Sequence, residues 1–157
     1  MKLIAHRGLA GLDSGYREDE NHPSQIERAI KAGFDIEIDL RYDEGKMYLG
    51  HDTAEYEVQD HTLADWAKNC TIYAHCKDMK AAFHCPRLAR IIPFCHSNDD
   101  FVLLKDGHLW VHPSVINEIP PTIRPQCIIV LPRNMDYPRF SDYYGVCADN
   151  VFKLKGY

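Results

Sequence analysis

The sequence predicts a single-domain α/β fold in which short buried strands alternate with helices. Residues 2–5 form a short apolar run, and residues 25–34 carry apolar side chains at helical spacing. Residues 34–40 then alternate apolar and polar side chains, which is the period of a strand. Residues 127–131 are apolar throughout, as in a strand that is buried on both faces of a sheet. The length of 157 residues fits one domain.

The ends of the first strand and first helix carry local signals. The strand stops at His6 and Arg7, a pair that indicates an anion site at a strand end. For the helix, Ser24 is the expected N-cap, Glu27 supplies a capping-box acid, and Gly33 ends it.

Two acids share one face of the strand at residues 34–40. Glu37 and Asp39 are two residues apart, so their side chains point to the same side, while the apolar residues between them point to the other. Two carboxylates so close together repel each other unless a cation lies between them, which indicates a divalent metal site. An edge strand with two solvated acids is the alternative for this stretch taken alone.

Four short motifs occur in a fixed order: H-R-G at 6–8, E-N at 20–21, E-I-D-L at 37–40 and G-H-D at 50–52. In this order and at these spacings they resemble the glycerophosphodiester phosphodiesterase family. Two weaker landmarks, Y-A-H-C-K at 73–77 and G-V-C-A-D at 145–149, are similar to its fourth and closing strands. Asp149 matches the closing Asp of the family, and we expect it to have a structural role in fixing Lys77 or Arg7.

The resemblance implies a TIM-type barrel with its site at the carboxyl ends of the strands. It also implies a phosphodiesterase of lipid metabolism that hydrolyses a small-molecule glycerophosphodiester-like substrate with Mg²⁺ or Ca²⁺. The site residues it implies are His6 and His51 as the acid/base pair, Arg7, Lys77 and Glu20 as phosphate or substrate contacts, and Glu37 and Asp39 as metal ligands. Two histidines with pKa values near neutrality can supply the proton transfers that phosphodiester cleavage needs.

His75 departs from the family pattern, in which a third metal-binding Glu stands at this position. We expect His75 to be a metal ligand too, and imidazole makes Mn²⁺ an additional candidate because it suits transition metals better than Mg²⁺ or Ca²⁺. The alternative is a packed interior histidine with loss of metal binding. The barrel would then be a non-catalytic module that binds phosphate or glycerophosphate.

The chain is short for a barrel, since a full (β/α)₈ fold takes about 250 residues. Helices are predicted at 62–68 and 78–90, although Pro86 should break or kink the second. Residues 101–111 read as a β-hairpin in place of the usual fifth helix, and only a helical turn is expected at 115–118. We therefore predict a compact, reduced TIM-type barrel of about eight strands, with several peripheral helices replaced by loops or a hairpin.

Composition excludes several classes of function. A net charge of −5 without a basic run argues against nucleic-acid binding, and no apolar stretch approaches the length of a membrane span. We expect a cytoplasmic protein whose six cysteines are reduced core thiols, because the sequence contains no C-x-x-C pair.

The missing helices raise the question of what covers the outer face of the last strands. Either the loops pack over it and the chain is a monomer, which we expect, or a second copy does so in a homodimer. The aromatic residues expected to cover this face are Trp110, Tyr137, Phe140 and Tyr143. Residues 96–100 follow a strand end and either line the site, with His96 the first of them, or form an ordinary turn.

Overall fold

The computed structural model describes residues 1–11, 19–130 and 140–155. Within these residues the strands form one ten-stranded sheet. The strands are β1 (Lys2–Ala5), β2 (Asp35–Asp43), β3 (Lys46–Leu49), β4 (Tyr56–Val58), β5 (Ile72–Cys76), β6 (Ile91–Phe94), β7 (Phe101–Leu103), β8 (Leu109–Val111), β9 (Cys127–Val130) and β10 (Gly145–Ala148). The helices are α1 (Pro23–Lys31), α2 (Asp60–Ala67) and α3 (Met79–His84).

The centre of the sheet is a run of parallel strands. Seven of the described strands lie side by side and parallel in the order β6, β5, β2, β1, β10, β9, β8. At one end of this run, β7 forms an antiparallel hairpin with β8. Elsewhere, β3 pairs antiparallel with the C-terminal half of β2, and β4 pairs antiparallel with β3. The predicted α/β class with a parallel sheet is therefore confirmed.

The described strands curl around an inner core and do not close into a ring by strand pairing. The inward side chains that form this core are Ile4, Tyr73, Ile92, Phe94, Leu104, Trp110, Ile128, Val130 and Cys147. Within the described chain β6 does not pair with β7 or β8, yet the rings of Phe94 and Trp110 lie 4.9 Å apart across that gap. The fold is thus a reduced, open barrel and not a complete TIM barrel.

The outer face of the sheet packs against all three helices, which belong to the first half of the chain. In the second half, the 3₁₀ segment Pro113–Glu118 takes the place of a helix. Ile116, Phe140 and Tyr143 belong to the same apolar cluster as Cys127 and Ile129 of β9. The hairpin of β7 and β8 and the helical turn are found where the sequence predicted them. None of the described helices has the length and apolar composition needed to cross a bilayer.

Several local predictions were wrong. The N-cap of α1 is His22 and not Ser24, because Pro23 takes the first helical position and the His22 ring accepts a hydrogen bond from the Ser24 N–H. Helix α3 stops at His84 and does not reach residue 90; the break expected at Pro86 is confirmed, because proline disfavours helical backbone in the residue before it.

Two side chains of the second half also differ from expectation. Trp110 faces the inner core, so it does not cover the outer face. Cys95 follows β6 and is exposed, while the other five cysteines are buried free thiols. The proposed covering residue Tyr137 and the end of the predicted strand at residue 131 lie outside the described residues.

Candidate active site

The polar residues predicted from the sequence meet at the carboxyl ends of β1, β2 and β5. Glu37 and Asp39 lie on the inward face of β2, and β5 runs parallel beside it with His75 in register with Asp39. Glu37 is only 3% exposed and Asp39 only 1%, although both are acids. Carboxylates this deeply buried need positive partners or a cation.

Asp39 is the most heavily contacted of these acids. Asn21 donates from Nδ2 to Asp39 Oδ2 over 3.0 Å and accepts the Asp39 backbone N–H over 2.9 Å. Arg7 Nε lies 3.2 Å from Asp39 Oδ2, and Lys77 Nζ lies 3.6 Å from Oδ1. Burial alone would raise the pKa of Asp39, but His75, Asn21 and Arg7 hold it well below its usual range. Asp39 is therefore ionised.

Glu37 lies on the same face of β2 as Asp39. Its Oε2 accepts the backbone N–H of Arg7 over 2.9 Å and lies 3.9 Å from Nε2 of His6. Burial, and then the negative charge of Asp39, raise the pKa of Glu37 above its usual value.

His6 is held from behind by a carboxylate. Its Nδ1 lies 2.7 Å from Asp149 Oδ1 at the end of β10, so the ring donates from Nδ1 and presents Nε2 towards Glu37. Burial lowers the pKa of His6, but the hydrogen bond to Asp149 and the charge of Glu37 outweigh it and raise the pKa. The sequence indicated only a structural role for Asp149, through Lys77 or Arg7.

The turn after β1 aims Arg7 into the site. Arg7 has a left-handed backbone with φ of 50°, and its guanidinium pairs with Glu20. Gly8 follows with φ of 76°, and a Cβ there would lie 2.6 Å from Cγ1 of Ile26 on α1. The H-R-G motif is thus a tight turn that only glycine permits at its third position.

His75 is oriented by its neighbours. Nδ1 faces Asp39 Oδ1 at 3.1 Å, and Nε2 lies 3.2 Å from the backbone carbonyl of His96. The ring stacks on Phe94, with a centroid distance of 5.1 Å, and on His96, at 4.4 Å, and these two rings lie 5.9 Å from each other. Burial, followed by the charges of His75 and Lys77, lowers the pKa of His96 to about 4.

His51 is linked to this group through the backbone of its turn. It follows Gly50, whose N–H donates to the Asp39 carbonyl over 3.1 Å, and the Arg41 guanidinium binds the carbonyl of His51. Its side chain is about one-third exposed, and Nδ1 lies 2.7 Å from Asp52. The turn therefore reaches the same edge of β2 as Asp39, with the imidazole open to solvent.

Three of the side chains fit a metal ion. Ligand atoms of Glu37, Asp39 and His75 all lie within 4.8 Å of one another, and all three residues are buried. Among the described residues Asp39 Oδ1 receives no hydrogen bond of good geometry, so a lone pair of a buried carboxylate is left for a cation. Two carboxylates and one imidazole form a donor set that several divalent ions accept.

Sequence reasoning missed two contributions. Asn21 belongs to the E-N motif, but only Glu20 was assigned a role, and it is Asn21 that fixes Asp39. For His96 the sequence left open whether it lines the site or belongs to an ordinary turn, and in the structure its ring stacks on His75. Its position inside the matched E-N motif is the signal that points to Asn21.

No protein-family model matches the sequence, and no curated protein matches it by sequence. The structure is similar to the crystal structure of a glycerophosphodiester phosphodiesterase from Agrobacterium tumefaciens str. C58, with a TM-score of 0.60. The similarity covers 96% of this chain and 97% of that chain, at 14% sequence identity. At this identity the likeness shows a relationship of fold.

Proposed function

We propose that this chain is a metal-dependent phosphodiesterase that hydrolyses a glycerophosphodiester-like substrate. The observation that carries the proposal is the convergence of two buried acids, His75, His6, Arg7 and Lys77 at the carboxyl ends of neighbouring parallel strands. This is the position at which barrels of this class place their chemistry. The fold-level similarity to a glycerophosphodiester phosphodiesterase supports the same assignment.

The charges of the site suit a phosphodiester. Arg7 and Lys77 present cationic groups beside Asp39 and can bind the non-bridging oxygens of the phosphate. Glu20 pairs with Nη1 of Arg7 and so helps to hold its guanidinium in place. A divalent ion held by Glu37, Asp39 and His75 would neutralise further charge on the phosphate and on the attacking oxygen.

His6 and His51 are assigned the proton transfers. One takes the proton of a neighbouring substrate hydroxyl as its oxygen bonds to phosphorus, and the other protonates the alcohol as its bond to phosphorus breaks. This first step leaves a cyclic phosphodiester. Water then opens the ring, and the histidine that acted as the base now acts as the acid and the other as the base. His6 is prepared for this by Asp149, which fixes the ring so that Nε2 is the exchanging nitrogen.

A second candidate is a non-catalytic module that binds phosphate or glycerophosphate. Its support is that Arg7 and Lys77 already lie within 4 Å of Asp39, so the acids have cationic partners without a metal. His75 in place of a third carboxylate favours it as well, because it lowers the negative charge available to a hard cation.

Turnover of glycerophosphocholine and of bis(4-nitrophenyl) phosphate with Mg²⁺, Ca²⁺ and Mn²⁺ separates the two candidates. We expect activity that EDTA abolishes and that Glu37→Gln and His6→Ala lower by at least about 10²-fold. Matched controls are Glu57→Gln and His61→Ala, whose side chains are exposed on β4 and α2. Turnover that survives both EDTA and His6→Ala would exclude the enzyme proposed here.

The binding module has a positive test of its own. Calorimetry would then show phosphate binding that is lost in Arg7→Ala and Lys77→Ala, without divalent binding that depends on Glu37 and Asp39. The cytoplasmic location and the monomeric state expected from the sequence stay predictions. Light scattering at micromolar concentration tests the monomeric state.

A further inference from the structure

The Nε2 nitrogen of His75 faces a group that can only accept a hydrogen bond. It lies 3.2 Å from the backbone carbonyl oxygen of His96. A bond between these atoms therefore requires the proton on Nε2. In the neutral ring the lone pair then belongs to Nδ1, the nitrogen that faces Asp39 Oδ1 at 3.1 Å.

Two electron-pair donors are thus directed at the same point. Asp39 is 1% exposed, and its Oδ1 lacks a hydrogen bond of good geometry among the described residues. A second proton on Nδ1 would link these two atoms and lower the pKa of Asp39, whereas in the neutral ring the Nδ1 lone pair and Oδ1 repel unless a cation lies between or beside them. Adjacent ligands of an ion with bonds of about 2.1 Å lie about 3 Å apart, which matches the separation of these two atoms.

The ring cannot easily turn away from this position. Phe94 stacks on it at a centroid distance of 5.1 Å with planes 9° apart, and His96 at 4.4 Å with planes 5° apart. Metal-bound histidines commonly donate the second ring N–H to a backbone carbonyl, which fixes the tautomer and the ring orientation. The His96 carbonyl and the two stacked rings provide this support.

On the basis of the function proposed above, we infer that His75 is a preorganised Nδ1 ligand that makes the site prefer a first-row transition-metal ion, such as Mn²⁺, over Mg²⁺ and Ca²⁺. Imidazole adds affinity for transition metals, whereas Mg²⁺ and Ca²⁺ take oxygen ligands. Glu37 and Asp39 supply the two anionic ligands that complete the protein's donor set.

Lys77 is the competing cation at this site. Its Nζ lies 3.6 Å from Asp39 Oδ1, close enough to neutralise the carboxylate. If the ammonium group of Lys77 is the only cation that neutralises Asp39, no metal ion binds there, and replacing His75 changes no metal affinity. Measurement of metal binding therefore distinguishes the two arrangements without reference to turnover.

The test titrates the EDTA-treated full chain with Mn²⁺ and follows the free Mn²⁺ signal by electron paramagnetic resonance, with Mg²⁺ and Ca²⁺ as competitors. We expect the ratio of Mn²⁺ to Mg²⁺ affinity to fall at least about tenfold in His75→Glu, which restores a carboxylate. Spin-echo modulation from a coordinated ¹⁴N should be present in the wild type and lost in His75→Glu. His61→Ala, an exposed change on α2, should alter neither quantity.

An unchanged affinity ratio, persistent ¹⁴N modulation in His75→Glu, or no Mn²⁺ binding by the wild type would overturn the inference. If His75→Glu does not fold, long-range ¹H–¹⁵N correlation of the metal-free wild type over a series of pH values decides: wherever the His75 ring is neutral, its proton must be on Nε2. An Nδ1–H tautomer would contradict it.

Parallel turnover assays separate this inference from the proposed function. Nitrogen-coordinated Mn²⁺ without turnover would leave the ligand role of His75 intact and exclude the enzyme. Mg²⁺-dependent turnover with an unchanged metal preference in His75→Glu would support the enzyme and exclude the ligand role of His75.

Discussion

Asp149 Oδ1 lies 2.7 Å from Nδ1 of His6, joining the end of the last strand to the end of the first. The carboxylate accepts the Nδ1 proton, so the opposite nitrogen of His6 points at Glu37. A histidine placed in this way has a defined tautomer and a defined direction for proton transfer.

Asp149→Asn should lower kcat for glycerophosphocholine by about 10²-fold with a smaller change in KM, because the base would lose its orientation and its charge support. The pKa of His6 should also fall, since the carboxylate that offsets its burial becomes neutral. The limb of the pH–rate profile that reports His6 should therefore move to lower pH.

Asp65→Asn is a matched control on the exposed side of α2, and we expect wild-type kinetics from it. If Asp149→Asn keeps both the rate and the pH profile of the wild type, His6 does not depend on this contact.

Asn21 is predicted to be a stability determinant. Asn21→Ala leaves the backbone N–H of Asp39 and one of its carboxylate oxygens without their partner in a buried site. We expect the free energy of unfolding to fall by about 2 kcal/mol, measured by urea denaturation. Asn69→Ala, where the side chain makes one long exposed contact of 3.4 Å, should stay within about 0.5 kcal/mol. Equal effects of the two changes would contradict the role of Asn21.

Gly50 and Gly45 form a matched pair at the two ends of β3. Both have positive φ, but a Cβ on Gly50 would lie 2.0 Å from the carbonyl oxygen of Thr53, whereas nothing lies within 4 Å of one on Gly45. Gly45→Ala should cost about 1 kcal/mol of unfolding free energy from backbone strain alone. Gly50→Ala should cost more than twice as much and reduce activity, because the turn carries His51. Similar losses for both variants would show that the 50–55 turn has room to adjust.

His96 should make the stability of the EDTA-treated protein depend on pH. Burial lowers its pKa to about 4 in the folded chain, against about 6.5 in the unfolded chain. Between these two pH values the unfolded chain binds a proton at His96 and the folded chain does not, so acidification favours the unfolded chain. The stability that comes from the neutral His96 is therefore fully present above about pH 6.5 and is lost as the pH falls through 4.

Urea denaturation at several pH values, compared with His96→Phe, measures this contribution. The variant should lose less stability on acidification than the wild type does. A His96 ring that titrates near its ordinary value by NMR would exclude the effect.

Parts of the site could be predicted because some of its residues are neighbours in sequence, whereas the grouping of these parts into one site was implied by the resemblance to a known family. Glu37 and Asp39 share a face through strand periodicity alone, and His6 and Arg7 follow directly from the end of β1. Strand and turn geometry act over a few residues, so a single sequence is enough to place these side chains together.

The parts that could not be predicted depend on contacts between distant segments. The carbonyl of His96 reaches His75 only because β6 pairs with β5, and Asp149 reaches His6 only because β10 pairs with β1. The inward direction of Trp110 likewise follows from the curl of the sheet, which brings it near Phe94. The N-cap of α1 was missed for a local reason, because an imidazole replaced the usual hydroxyl or carboxylate.

The most direct test of the metal site is anomalous diffraction from crystals grown with Mn²⁺. A peak bonded to carboxylate oxygens of Glu37 and Asp39 and to Nδ1 of His75 is the predicted result, since these ligand atoms already lie within 4.8 Å of one another. Absence of any peak between them, with Nζ of Lys77 remaining beside Asp39, would contradict the account.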